Sequence, residues 1–292
     1  MSAPGSQARQ DPGEVEVRIH GSLLDFVPTA RRGRPLRRPI LGHPAVKDVV
    51  EAVGVPHPEI GRLLVRGEPV GLAHRLAPGD VVDAYPVGWP RGGEHEDGDE
   101  RSGPGAGSST PGGGPGPMPD PRFVLDGHLG RLAAHLRMCG FDTRYRRDAD
   151  DAALAHIAAT EDRILLTRDV GLLKRSAIRR GAFVRSDRPR DQLVEILGRF
   201  GLAGSVRPFS RCLRCNGRLE PVDRATVRAV VPPRVLGEQD AFRRCERCGG
   251  IYWRGSHHRR MTGLLDGVLA EVEGTRPRRD TGRGSDDGTR PR

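Results

Sequence analysis

Aromatic residues make up only 4% of this 292-residue chain, so any core must be packed from Leu, Val, Ile and Ala. Lysine is nearly absent: of 48 basic residues only Lys47 and Lys174 are not arginine. A GC-rich coding sequence explains that skew without any appeal to guanidinium chemistry. No apolar run approaches the roughly 18 residues of a membrane span. The opening MSAPGSQARQ lacks the apolar region of a secretory leader, which predicts a cytoplasmic protein. Cysteine is scarce too, five in all, but four of them fall in two pairs. In a reducing compartment such pairs point to metal rather than to disulfides.

What the chain does have is positive charge, +10 overall, with +8 of it between residues 205 and 262 and +4 between 120 and 204. A basic region attracts polyanions, nucleic acid first among them. The length leaves room for about two domains. Residues 91–119, RGGEHEDGDERSGPGAGSSTPGGGPGPMP, hold nothing that fills a core, and predict a disordered linker. The chain then divides into a small domain over 14–90, a larger one over 120–204, a cysteine-bearing segment over 205–262 and a largely disordered tail over 263–292.

In the first domain VEVRI (15–19) alternates as a strand, with Val15, Val17 and Ile19 on one face. AVKDVVEAVG (45–54) has helical spacing, with Gly54 placed to end the helix. RLLVRGEPV and DVVDAYPV read as short strands separated by turns. A strand pair, a helix and further short strands predict a β-grasp module, and the HRLAPGDVVDAYPV ending resembles the ubiquitin-like sulfur-carrier families. Those carriers end on an activated Gly-Gly. Here Gly92-Gly93 lies inside the chain and has no terminal carboxylate unless the chain is cut. The module therefore reads as a docking domain for a protein partner, with a sulfur-transfer adaptor as the lesser alternative.

After the linker, strand and helix patterns alternate: RFVLD, LGRLAAHLRMCG, FDTRYR, DDAALAHIAAT, RILLT, GLLKRSAIRRG, AFVRS and RDQLVEILGRFG. Repeated β-α units predict an α/β fold, a parallel sheet with helices on both faces. Ligands of such sheets gather at the carboxyl ends of the strands. Asp126 ends FVLD, Asp169 follows ILLT, Asp187 follows AFVRS, and Asp150 and Asp151 open a helix on the same side. Each is also a common helix cap, worth about 1 kcal/mol. Together they repel one another unless a cation holds them, and hard oxygen ligands suit Mg²⁺ or Mn²⁺. An acidic rim on a basic domain fits metal-assisted phosphodiester hydrolysis, with Arg131, Arg137 and Arg168 on substrate phosphates. The alternative is a non-catalytic RNA-binding protein whose aspartates only cap helices.

CLRC (212–215) and CERC (245–248) lie 29 residues apart, and two such knuckles make a tetrahedral site for structural zinc from Cys212, Cys215, Cys245 and Cys248. A redox pair is the competing use of a single CxxC. Tyr252 and Trp253 next to Arg254 are placed either to stack on nucleic-acid bases or to pack over the knuckle. Cys139, alone on a helix, reads as a small core residue.

FVLDGHLGRLAAHLRMCGFDT, DADDAALAHIA and RILLTRDVGLLKR, with RCLRCNGRLEPV and FRRCERCGGIYWRGSHHRRM, resemble the Mut-seven C-terminal ribonuclease family, a branch of the PIN-like nucleases, over residues 122–262. The resemblance implies a PIN-like fold closed by a zinc ribbon, divalent-metal ribonuclease activity, and an acidic site at Asp126, Asp169 and either Asp151 or Asp150, with Asp187 as a fourth candidate. It also implies RNA as the partner, and a β-grasp module in front matches an arrangement of bacterial members.

Overall fold

The computed structural model describes residues 13–88 and 120–274. The expected linker, with Gly92-Gly93, and residues 275–292 lie outside them. The first unit holds β1 (Gly13–Ile19), β2 (Leu36–Ile40), helix α1 (Val46–Ala52), β3 (Ile60–Val65), β4 (Glu68–Val70) and β5 (Val81–Pro86). The strands form one sheet in the order β2-β1-β5-β3-β4, with β1 and β5 parallel. The alternation read in VEVRI puts Val15 and Val17 under α1, whose Val46, Val49 and Val50 complete an aliphatic core. Gly54 adopts φ +118°, where a side chain would also meet the Phe26 carbonyl. That explains why the helix stops there. This is a β-grasp sheet.

The second unit runs β6 (Arg122–Leu125), α2 (Gly130–Met138), β7 (Asp142–Tyr145), α3 (Asp151–Thr160), β8 (Ile164–Thr167), α4 (Val170–Leu173), β9 (Gly181–Phe183) and α5 (Pro189–Arg199). Its four strands are all parallel, in the order β7-β6-β8-β9. Phe123, Leu125, Ile164 and Leu166 face α2 and α5, while Val124 and Leu165 face α3 and α4. Both faces are covered, which is why FVL and ILL read as unbroken apolar runs.

GLLKRSAIRRG was expected to be a helix, but α4 is a single turn. The Arg180 carbonyl already accepts the Leu165 N–H at 3.1 Å, so the chain must be back in the sheet by residue 180. Ile178 is turned inward and fully buried, closing the turn.

The third unit adds β10 (Leu219–Val222), α6 (Arg224–Val227), α7 (Pro233–Glu238), β11 (Phe242–Cys245), β12 (Ile251–Trp253) and α8 (Ser256–Gly274), with β10-β11-β12 an antiparallel sheet. The tail expected from residue 263 is corrected here, because α8 continues to Gly274. Leu265, Val268 and Val272 recur at helical spacing and bury against Leu193, Ile196 and Leu197 of α5. Arg190 pairs with Glu271 at 2.7 Å alongside them. The periodicity was present in GLLDGVLAEVE, but its flanking Gly and charged residues masked it.

Candidate functional site

Register decides which residues share the rim of the parallel sheet. Leu125 lies opposite both Tyr145 and Leu166, and Thr167 lies opposite Phe183, so the strands end together. The chain leaves β6 for α2 on one face and leaves β8 for α4 on the other. The crevice between those two strands is the topological switch point where α/β sheets bind ligands. Asp126 follows β6 there, and Arg168 and Asp169 follow β8.

Asp126 is 7% exposed, and both its carboxylate oxygens accept hydrogen bonds. Its Oδ1 accepts from His128 N at 2.9 Å, capping a short turn, while Oδ2 accepts from Arg168 N at 3.0 Å and from Thr167 Oγ1. Thr167 Oγ1 in turn accepts from Asp169 N at 2.9 Å. Asp126 and Asp169 therefore belong to one network with the buried Thr167 at its centre. Asp169 caps α4, its Oδ1 accepting from Gly171 N at 2.6 Å and Leu172 N at 3.1 Å, and Oδ2 takes no part in those bonds. Asp187, exposed, joins through Arg168, whose Nη1 lies 2.6 Å from its Oδ1.

Asp150 and Asp151 start α3 on the neighbouring loop. Asp150 caps it by accepting from Ala153 N at 2.7 Å, and Asp151 pairs with Arg175 at 3.5 Å. Two glycines draw that loop against the Asp126 turn. A side chain at Gly127 would collide with the Arg147 carbonyl, and one at Gly130 with the Tyr145 hydroxyl, which itself donates to Gly127 O at 2.9 Å. The spacing DGHLG is thus a packing signature. Among the described residues the aspartates share a rim without converging on one point; the group of His, Cys, Asp or Glu donors close enough to hold one ion is the four cysteines.

Those cysteines do converge. Cys212 and Cys248 sulfurs are 3.6 Å apart, Cys215 and Cys245 3.4 Å, and all four lie within 4.8 Å of one another. Four sulfurs at about 2.3 Å from zinc stand about 3.8 Å apart, so the set fits the ion and leaves no open position. A redox pair would not need all four on one point. Burial pushes the Cys212 thiol up, but hydrogen bonds from Tyr252, 3.0 Å away, and from the backbone of Cys215 and Arg214 outweigh it, and it falls to about 6. Burial, with the neighbouring sulfurs, pushes Cys215 up to about 12.

Residues 121–265 match the model of the Mut7-C RNAse domain, and residues 13–90 that of the Mut7-C ubiquitin domain. The chain joins a Mut7-C ubiquitin domain to a Mut7-C RNAse domain. The resemblance read over residues 122–262 is borne out. Among solved structures the chain is similar to SAMP1 from Haloferax volcanii, at 20% identity over 28% of this chain and 99% of that one, with a TM-score of 0.21. No curated protein matches it. Among the described residues no helix is long and apolar enough to cross a membrane.

Within the Mut7-C RNAse domain, Arg131 is exposed on α2 and Arg254 is exposed beyond β12, as surface contacts require. Arg168 is partly exposed but paired with Asp187. Arg137 is a correction: it is 6% exposed, donating from Nε to Thr143 O and from Nη1 to Leu213 O and Arg214 O, each at 3.0 Å. It ties α2 to the first cysteine knuckle and is not presented to solvent. Trp253 is half-buried against Val227, Val231 and Phe242, and Tyr252 against the cysteines, so both follow the packing alternative. Sequence reasoning missed Thr167 as the link between the aspartates, and Asn216, which joins the knuckle to β7. Only the absence of any other polar residue in ILLT marked the former.

Proposed function

We propose that this chain is a divalent-metal ribonuclease that hydrolyses RNA phosphodiester bonds in the crevice between β6 and β8. The observation that carries the reading is the network Asp126–Thr167–Asp169 at the switch point of a Mut7-C RNAse domain. Asp126, Asp169 and either Asp151 or Asp150 would hold Mg²⁺ or Mn²⁺, with Asp187 a fourth candidate. The donor set suits such ions: the oxygens are hard carboxylates, and in Asp169 and Asp150 only Oδ1 serves the cap. When bound, the ion supplies Lewis-acid stabilisation of the phosphate and an activated water. The chain's own residues fix the geometry. Thr167 and the Arg168 N–H hold Asp126 in place, and Arg131 and Arg168 stand ready for phosphates. The zinc ribbon, with its excess of arginine and the exposed Arg254, adds electrostatic affinity for the RNA backbone.

Helix capping by Asp126, Asp150 and Asp169 supports the second reading, a non-catalytic RNA-binding protein. The experiment is cleavage of labelled single-stranded and structured RNA by the zinc-loaded protein with Mn²⁺, Mg²⁺ or neither, beside Asp126→Asn/Asp169→Asn. Asn caps a helix as well as Asp does, but at Asp126 its amide nitrogen would face the His128 N–H or the Thr167 and Arg168 donors, so circular dichroism and RNA affinity of the variant are measured alongside cleavage. Cleavage that needs the metal and falls more than about a hundredfold in the variant supports the ribonuclease. RNA binding without cleavage by either protein would return the aspartates to capping. Sulfur transfer would instead require a cut after Gly93 and adenylation of the new terminus.

A further inference from the structure

Glu59, in the Mut7-C ubiquitin domain, is completely buried, yet the groups that hold its carboxylate belong to the RNAse domain more than 120 residues away. Its Oε1 accepts from Phe183 N at 2.6 Å, and its Oε2 from Arg185 Nη2 at 3.2 Å and Arg199 Nη1 at 2.8 Å. Arg199 Nε and Nη2 are buried with no partner among the described residues, so Glu59 carries the counter-charge for that guanidinium. Arg185 is gripped a second time, by Asp25 Oδ2 at 2.9 Å and Ser22 O at 3.2 Å. The Phe26 ring meets Phe183 edge-on at 5.6 Å. A second set of contacts holds the turn after α4. His57 Nε2 lies 2.7 Å from Ile178 O, and Lys174 Nζ donates to Glu51 O at 2.9 Å.

Both gripped segments lead to the rim. Arg175 lies between Lys174 and Ile178 and pairs with Asp151. Phe183 lies opposite Thr167 in the sheet, and Val184 N donates to Thr167 O at 2.9 Å. Arg185 N and Ser186 N are each held by Glu195 at 3.0 Å, and Asp187 follows, paired to Arg168. A buried charge at one end of so short a path fixes the backbone at the other.

We propose that the ubiquitin domain is a working part of the ribonuclease rim, and that Glu59 is the positioning residue through which it orders residues 183–187, while His57 and Glu51 hold 174–178. This rests on the ribonuclease reading, in that its catalytic consequence needs cleavage at the rim. Glu59 touches no reacting atom and acts through Thr167 and Arg168. A carrier that must detach to present its end to a partner would not bury a carboxylate against the enzyme it serves.

The test compares the full zinc-loaded chain with Glu59→Gln, Glu59→Ala and Leu63→Ala, by steady-state cleavage of single-stranded RNA with Mn²⁺ and by amide hydrogen exchange. Leu63 is in the ubiquitin-domain core and offers no polar group to these hydrogen bonds, so it reports loss of stability. Glu59→Ala should lower kcat about tenfold with KM little changed, and should speed exchange at Arg168 and Asp169, across the sheet from the lost contact. Glu59→Gln keeps an acceptor for Phe183 N and should fall between. If Glu59→Ala does not fold, Glu59→Gln with Asp25→Asn reads the same coupling more mildly. Wild-type kcat and wild-type exchange in folded Glu59 variants would overturn the proposal, as would an equal fall in kcat for Leu63→Ala at matched folded fraction. If the wild-type chain does not cleave at all, the ribonuclease reading fails, and the exchange at Arg168 and Asp169 alone decides the coupling.

Discussion

Replacing Arg137 by Met separates a phosphate contact from a strut, and its cost follows from the hydrogen bonds. Methionine fills much of the buried aliphatic volume but donates nothing, so Thr143 O, Leu213 O and Arg214 O each lose a donor at 3.0 Å. A buried acceptor left unpaired costs about 1–3 kcal/mol. Thr143 is fully buried and loses the most, whereas the carbonyls of Leu213 and Arg214 are near enough to solvent for water to replace part of the loss. Against this, the guanidinium no longer pays its own desolvation. Burial lowers its pKa, though Cys212, Cys215 and Asp142 nearby favour the charged form. The net is a destabilisation of about 2–3 kcal/mol, or about 5–10 °C in Tm for a domain of this size. The assay is thermal unfolding of zinc-loaded wild type and Arg137→Met, with RNA affinity measured across salt concentrations. A phosphate-binding arginine would instead leave Tm unchanged and reduce the salt slope by about one. An unchanged Tm with weakened, less salt-dependent binding would refute the strut.

Removing zinc with a chelator should melt the β10-β11-β12 sheet while the parallel sheet persists. Structural zinc contributes about 10–16 kcal/mol in small metal-folded peptides, far more than the few buried side chains here could replace, and circular dichroism with exchange mapping would show it. Asp142 sets an acid limb. Burial raises its pKa, but hydrogen bonds from Arg163 and Asn216 outweigh that and hold it below the ordinary carboxylate value. Its contribution is therefore fully present above about pH 4 and is lost as pH falls through the lower folded-state pKa. Asp142→Asn should flatten that limb in urea unfolding measured from pH 6 to pH 2.5; an unaltered limb would remove Asp142 from the account. Cys139 is buried, and burial pushes its thiol up to about 12, so the native protein should resist alkylation there, as mass spectrometry of iodoacetamide-treated protein would report.

The parts of this molecule legible in its sequence are those set by short-range pattern. FVL and ILL are apolar on every residue because both faces of their strands are covered, and CLRC and CERC carry their spacing in plain view. The rim was legible for the same reason: in a parallel sheet the strand ends share a side. What failed depended on partners distant in the chain. Arg137 resembled any other exposed helix arginine until Leu213 and Arg214 folded over it, and nothing local marks that. The length of α4 was set by the ladder bond between Leu165 and Arg180, not by the helical propensity of GLLKRSAIRRG. Glu59, in HPEIG, carries no local signal, and its role is visible only once Phe183, Arg185 and Arg199 surround it.

The two edge strands of the parallel sheet meet the same problem and solve it alike. An edge strand exposes unpaired N–H groups that invite pairing with other chains. On β7 the Thr143 N–H donates to Asn216 Oδ1 at 3.0 Å, and the same Asn216 donates to Asp142 at 2.8 Å, so the first cysteine knuckle closes that edge. On β9 the Phe183 N–H donates to Glu59, and the ubiquitin domain closes the other. Each cover is held by an arginine as well, the buried Arg137 on one side and the largely buried Arg199 on the other, and each arginine lies on a helix of the same face, α2 or α5. The flanking units therefore cover the edges and the helices cover the faces. What stays open is the line of strand ends that carries Asp126, Asp151, Asp169 and Asp187. Under the ribonuclease reading proposed above, the arginines of a basic chain would draw an RNA backbone toward that rim, where the carboxylates would hold the metal.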